Sequence, residues 1–157
     1  MNALVDTSVW SLALRRRAEH RNARETAQVE ALNAAIERGS VKVLGIVRQE
    51  LLTGIKTRQQ FENLRDFMDA FQDVEIVSED YIEAAKLANA CYAKGVTPSV
   101  VDMLICAVAN RQGWEIFTAD PDFERYSRIL DLKLYRSSSK SGEHCGGAVM
   151  GRSVAGD

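Results

Sequence analysis

Four acidic side chains stand where a strand end or an apolar setting gives a carboxylate something to do. Asp6 closes the apolar run Ala3-Leu4-Val5 and precedes Thr7-Ser8. Glu50 lies in Arg48-Gln49-Glu50-Leu51-Leu52, next to large apolar residues. Asp102 lies in Ser99-Val100-Val101-Asp102-Met103-Leu104, and Asp120 follows Phe117-Thr118-Ala119 just before Pro121. Carboxylates brought together without basic partners repel one another. A hard divalent cation resolves that repulsion, and all-oxygen ligation suits Mg²⁺ or Mn²⁺. Such a centre lowers the pKa of a bound water and offsets charge on a leaving oxygen, a common device for phosphodiester cleavage. Phosphoryl transfer rests mainly on positioning and charge stabilisation, so it needs no histidine. The chain has only His20, in an arginine-rich stretch, and His144, near its end. Ser-His-Asp and Cys-His arrangements therefore have no support. No GxGxxG follows a strand, and no Walker-type glycine loop occurs.

Each acid also has a plainer use. Asp6 and Asp120 suit helix N-caps, the latter with Pro121 at a favoured position. Asp102 suits the positive end of its helix, and Glu50 suits a solvated face. Convergence of all four on one edge favours the chemical reading over these.

The elements that must position them follow from hydrophobic spacing. Strands are expected over residues 2–6, 41–44, 74–77, 115–118 and 132–135. Helices are expected after Asp6, over 23–38 with Gly39 beyond, over 46–55, through the stripe Phe61, Leu64, Phe67, Met68 and Phe71, and through Tyr81, Ala84, Ala85, Ala88 and Tyr92. Thr97 reads as an N-cap with Pro98 at the first helical position of the Asp102 helix, and Asp120-Pro121 opens a further short helix. The Phe61–Phe71 stripe and Trp10 are expected in the core. Strands alternating with helices imply an α/β three-layer sandwich, a mostly parallel central sheet of 4–5 strands with helices on both faces. Asp6 and Asp120 then fall at the carboxyl ends of parallel strands, where open α/β sheets bind ligands.

Composition bounds the rest. A chain of 157 residues, 46% hydrophobic and 27% charged, is one ordinary globular domain with a core of its own. The expected division is a domain over 1–136 and a flexible Ser/Gly-rich extension over 137–157. A formal charge of −2 excludes a basic coat, so nucleic-acid binding must use local basic patches or a metal. Arg15, Arg16, Arg17, Arg21 and Arg24 cluster after the first helix, and Arg48, Lys56 and Arg58 flank the Glu50 helix. They are a solvated face or phosphate contacts, with Arg15, Arg16 and Arg48 as the candidates. Cys91, Cys106 and Cys145 make no disulfide framework, and the first two read as core. No apolar run of about 20 residues and no signal peptide is evident, so the expected location is cytoplasmic, away from membranes.

With these motifs assembled, the chain resembles the PIN-domain ribonucleases, and among them the VapC-type toxins of type II toxin–antitoxin systems. The resemblance covers residues 2 to about 135. It rests on Val5-Asp6-Thr7-Ser8, Glu50 with Gly54, Val101-Asp102-Met103-Leu104-Ile105-Cys106-Ala107, and Thr118-Ala119-Asp120-Pro121-Asp122-Phe123, in that order. It implies that Asp6, Glu50, Asp102 and Asp120 form a catalytic acidic quartet. Asp6, Asp102 and Asp120 would hold Mg²⁺ or Mn²⁺, the first two most directly. Ser8 would support the first aspartate, and Asp122 would line the same site. It further implies RNA hydrolysis by metal-activated water, a homodimer, and a VapB-type antitoxin assembled with it as a heterotetramer or larger. The competing reading is a PIN-like module that binds RNA or protein with little or no catalysis. A haloacid-dehalogenase-type phosphatase is disfavoured, because Ser8 stands where its second aspartate is needed.

Overall fold

A computed structural model of the chain describes residues 1–136. The extension expected over 137–157, with His144 and Cys145, lies outside the described residues. Strand β1 (Ala3–Val5) is buried at every position and forms the centre of a parallel sheet of order β2-β1-β3. A short run of apolar residues suits a strand covered on both faces. Its neighbours are β2 (Val41–Lys42) and β3 (Glu115–Phe117), with Leu4 opposite Lys42 and Ile116, and Val5 opposite Phe117.

From β1 the chain runs through α1 (Thr7–Leu14), a 3₁₀ turn (Ala18–His20) and α2 (Ala23–Glu37) to β2. It then forms α3 (Gly45–Leu52), α4 (Arg58–Met68), α5 (Ser78–Ala93) and α6 (Val100–Gln112) before β3, and α7 (Asp122–Ser127) after it. The two crossovers run in opposite directions along the sheet. Right-handedness therefore places their helices on opposite faces, which gives the three-layer α/β sandwich expected. Helix α6 is buried without a break from Met103 to Ala109, the mark of a helix inside the core rather than on it. Cys91 and Cys106 are buried there too. No helix among the described residues is long and apolar enough to cross a membrane.

The sheet is smaller than the 4–5 strands expected: three strands, with one parallel bridge at each side, Val43–Asp73 and Ile116–Leu134. The segment 74–77 fails to form a strand because its backbone groups are engaged elsewhere. Val74 N–H donates to Val43, but the Glu75 carbonyl accepts from Arg111 and the Val77 N–H donates to Asp80. At the other side, β3 is only three residues long. Segment 132–135 closes two bonds on Ile116, whose N–H donates to Lys133 and whose carbonyl accepts from Tyr135.

Two further expectations change. The cap of α6 is Ser99, not Thr97: its hydroxyl accepts from Asp102 N–H at 3.0 Å, and Pro98 lies before the helix. The α4 stripe is only partly core. Met68 is buried and Leu64 and Phe71 are half-buried, while Phe61 and Phe67 are 37% and 45% exposed. Trp10 is fully buried as expected, edge-on to Phe71 and Phe67 at 5.2 and 6.3 Å.

Candidate active site

Asp6 extends the β1–β3 ladder by donating its N–H to the Phe117 carbonyl at 2.8 Å, then turns the chain into α1 as its N-cap. The register places it beside Thr118. One carboxylate oxygen, Oδ2, accepts from Ser8 Oγ at 2.7 Å, from Thr118 Oγ1 at 3.0 Å and from Ser8 N–H at 3.4 Å. The two hydroxyls are themselves oriented by backbone. Ala119 N–H donates to Ser8 Oγ at 2.9 Å, and Asp120 N–H donates to Thr118 Oγ1 at 3.0 Å. Two relays thus fix a carboxylate that is only 6% exposed. Its other oxygen, Oδ1, receives no hydrogen bond, and no lysine, arginine or histidine pairs with it, among the described residues. The helix-cap use and an open carboxylate oxygen coexist in one side chain.

Asp102 sits in the first turn of α6, anchored by the buried helix behind it. Its Oδ2 accepts from the hydroxyl of buried Tyr126 at 2.8 Å. Burial pushes its carboxyl up to about 6, and the charges of Asp6 and Asp120 push the same way, against the Tyr126 and Ser99 hydrogen bonds. Glu50, on α3, is raised by partial burial first and by the Asp6 charge second, although the residue as a whole is exposed. Asp120 accepts from Asp122 N–H at 2.9 Å, which shapes the start of α7. Asp6 therefore lies within charge reach of Asp102 and of Glu50, and Asp120 within charge reach of Asp102. Asp122 faces partly outward, 4.0 Å from Arg125, and its charge reaches Tyr126.

No three described His, Cys, Asp or Glu side chains come close enough to make a ligand set by themselves. Mg²⁺ commonly takes one or two carboxylates and keeps its remaining waters, so two aspartates with free oxygens suit it. The Thr7 hydroxyl, buried next to Asp6, acts on the Glu50 carboxyl against the effect of burial, so it belongs with Glu50 rather than standing free. Donor type and charge thus fit a hard cation.

The three arginine candidates are already engaged. Arg48 donates to Asp73 Oδ1 at 2.9 Å, to the Met68 carbonyl at 2.8 Å and to the Phe71 carbonyl, so it ties α3 to the end of α4. Arg15 donates to the Glu50 and Leu51 carbonyls and closes the end of α3. Arg16 pairs with Glu25, whose carboxyl it holds below its ordinary range.

Sequence reasoning missed Thr118 and Tyr126. Thr118 is the residue opposite Asp6 once β1 and β3 are set in parallel register. Tyr126 recurs three residues after Phe123 on an apolar face, and a buried tyrosine hydroxyl calls for a partner.

The fold is that of several solved toxin–antitoxin complexes. VapBC2 from Rickettsia felis, bound to a promoter DNA fragment, contains a chain with TM-score 0.68 and 19% identity, over 86% of this chain and 98% of that one. FitAcB from Neisseria gonorrhoeae gives 0.65 and 19%, over 85% and 96%. VapBC-5 from Mycobacterium tuberculosis gives 0.60 and 16%, over 87% and 100%. No curated protein matches the sequence. The family model of the PIN domain matches residues 3–129, within which all four acids and both relay hydroxyls fall, and the chain belongs to the PIN domain family.

Proposed function

We propose that this chain is a metal-dependent endoribonuclease and the toxin of a VapBC-type pair, acting in the cytoplasm as a homodimer and neutralised by a cognate antitoxin. One observation carries the catalytic reading: Asp6 is buried, hydrogen-bonded through one oxygen only, and within charge reach of Asp102 and Glu50 with no basic partner among the described residues. Asp6, Asp102 and Asp120 would hold Mg²⁺ or Mn²⁺, the first two most directly. Such a cation, when bound, supplies an activated water and offsets charge on the leaving oxygen. The Ser8 and Thr118 relays keep Asp6 from rotating, and Tyr126 leaves Asp102 Oδ1 as its free oxygen. Glu50, raised by burial and solvent-facing, would take the proton of the attacking water.

The partner reading rests on the relatives named above being toxin–antitoxin complexes, and on a groove of about 810 Å³ between the end of α1, the α3–α4 connection and α4. Leu14, Leu64 and the exposed Phe67 floor it, with Arg15 and Lys56 alongside, so it suits an apolar peptide carrying acidic residues. The deciding measurement is cleavage of total cellular RNA by antitoxin-free protein with Mg²⁺ or Mn²⁺, run beside EDTA and Asp6→Asn. The expected result is cleavage that both controls abolish. Intact RNA with every metal, from folded protein, favours the binding-module reading instead.

A further inference from the structure

We propose that the cavity between α2 and the exit of β3 is a nucleotide subsite, in which Arg24 takes a phosphate and Gln28 and Tyr135 take the base of a residue flanking the bond that is cut. The placement of the subsite beside a cleaved bond rests on the ribonuclease reading; nucleotide binding in the cavity does not. The cavity measures about 230 Å³ and shares Thr118 with the acidic site, since that residue both lines it and donates to Asp6. Its volume lies below the roughly 300–1,000 Å³ of drug-sized ligand sites, so it suits one nucleobase rather than a whole cofactor.

The sequence of α2 builds the space. Arg24, Ala27, Gln28 and Ala31 fall on one helical face, and the two alanines leave room that larger side chains would fill. Arg24 makes no ion pair or hydrogen bond among the described residues, although its charge reaches Glu124, a carboxylate that lines the same cavity and is already paired with Arg136, so the cavity keeps one net positive charge. In a chain of charge −2, phosphate contact has to be local, and Arg24 brings a forked donor to a cavity that shares Thr118 with the acidic site. The Gln28 amide is likewise without a side-chain hydrogen bond among the described residues, so its donor and acceptor can read a base edge. Tyr135 packs on Phe117 with ring centroids 4.5 Å apart, which fixes an aromatic at the cavity for stacking. Sequence-selective RNA recognition works on unstacked single-stranded bases held in this manner.

The test uses the full chain in EDTA, titrated with each of the four ribonucleoside 5′-monophosphates and followed by NMR. At least one is expected to shift the Arg24, Gln28 and Tyr135 resonances. Arg24→Gln is expected to weaken that binding by about tenfold, the scale of a charge-assisted hydrogen bond. Ala27→Leu, at an exposed helical position, is expected to abolish it while the remaining spectrum stays native. A second arm sequences the ends produced from random single-stranded RNA with Mn²⁺. Ala27→Leu and Gln28→Ala should flatten base preference at one position beside the cut. The proposal is overturned if no mononucleotide shifts these residues, if Ala27→Leu leaves binding intact, or if base preference is unchanged in both variants. Mononucleotide binding at the cavity with no RNA cleavage by the native chain would uphold the subsite and remove the ribonuclease reading.

Discussion

Asp6 and Asp80 are both almost fully buried, at 6% and 1% exposure, and the protein treats them in opposite ways. Asp80, in the first turn of α5, faces Arg111 of α6 with Nε–Oδ1 and Nη2–Oδ2 distances of 2.7 and 2.9 Å, and it also accepts the Val77 N–H. Arg111 holds its carboxyl below the ordinary aspartate range. That aspartate has its cation built in, and it joins two helices. Asp6 has hydroxyls and an amide in place of a cation, all on one oxygen, and its neighbours Asp102 and Glu50 are pushed upward first by burial and further by its charge. A buried carboxylate with an internal counter-ion serves the fold; one held rigid without a counter-ion is what the proposed metal centre requires.

The largest effect that would break this contrast is on activity. Asp6→Asn is expected to lower metal-dependent RNA cleavage by on the order of 10³-fold, while its melting temperature in EDTA stays at or above that of the native chain. A clear loss of stability would mean that Asp6 serves the fold as Asp80 does. Asp80→Ala should show the converse: a loss of about 2 kcal/mol in denaturant unfolding, discounted for the solvent that reaches Arg111, with specific activity per folded molecule retained.

Tyr126→Phe comes next. Losing the hydroxyl on Asp102 Oδ2 should cost about tenfold in activity at neutral pH, the scale of one charge-assisted hydrogen bond. The shape of the pH profile separates this from a packing defect. Native activity should rise with pH as Asp102 loses its proton, with the bound cation drawing the midpoint below the metal-free value of about 6, and the phenylalanine variant should rise at higher pH because a hydrogen bond favouring the ion is gone. Stability has the opposite sign. A carboxyl raised by the fold contributes stability that is full below its unfolded pKa and is lost as pH rises through about 6. The metal-free protein should therefore weaken over that window, Mn²⁺ should restore it, and Asp102→Asn should flatten the slope. The smallest effect is expected for Arg16→Ala. Its exposed pair with Glu25 should leave the denaturation midpoint unchanged within error.

How far the residues alone disclose this arrangement depends on how local each cause is. Asp6 and Asp120 were legible because each follows a short apolar run, and Asp102 because it opens an apolar helix. The central strand, the order of elements and the α/β class follow from the same local patterns. The relays were not legible, since they need the parallel register that sets Asp6 beside Thr118 and the fold that carries Tyr126 to Asp102. The edge strands failed for a related reason. Val74–Val77 alternates well enough for a strand, yet the side chains of Asp80 and Arg111 take backbone groups that a ladder would use. Arginine roles were the least legible, because whether Arg48 meets RNA or the Phe71 carbonyl depends on where α4 ends.

Trp10 has a practical consequence. It is one of two tryptophans, shielded from water, with an indole N–H that finds no partner among the described residues. Its ring meets Phe67, which also floors the α1–α4 groove. A polypeptide laid on that groove would sit one ring away from the indole. Once Trp114 is replaced, the emission of Trp10 is therefore expected to shift when the groove is occupied, without a label.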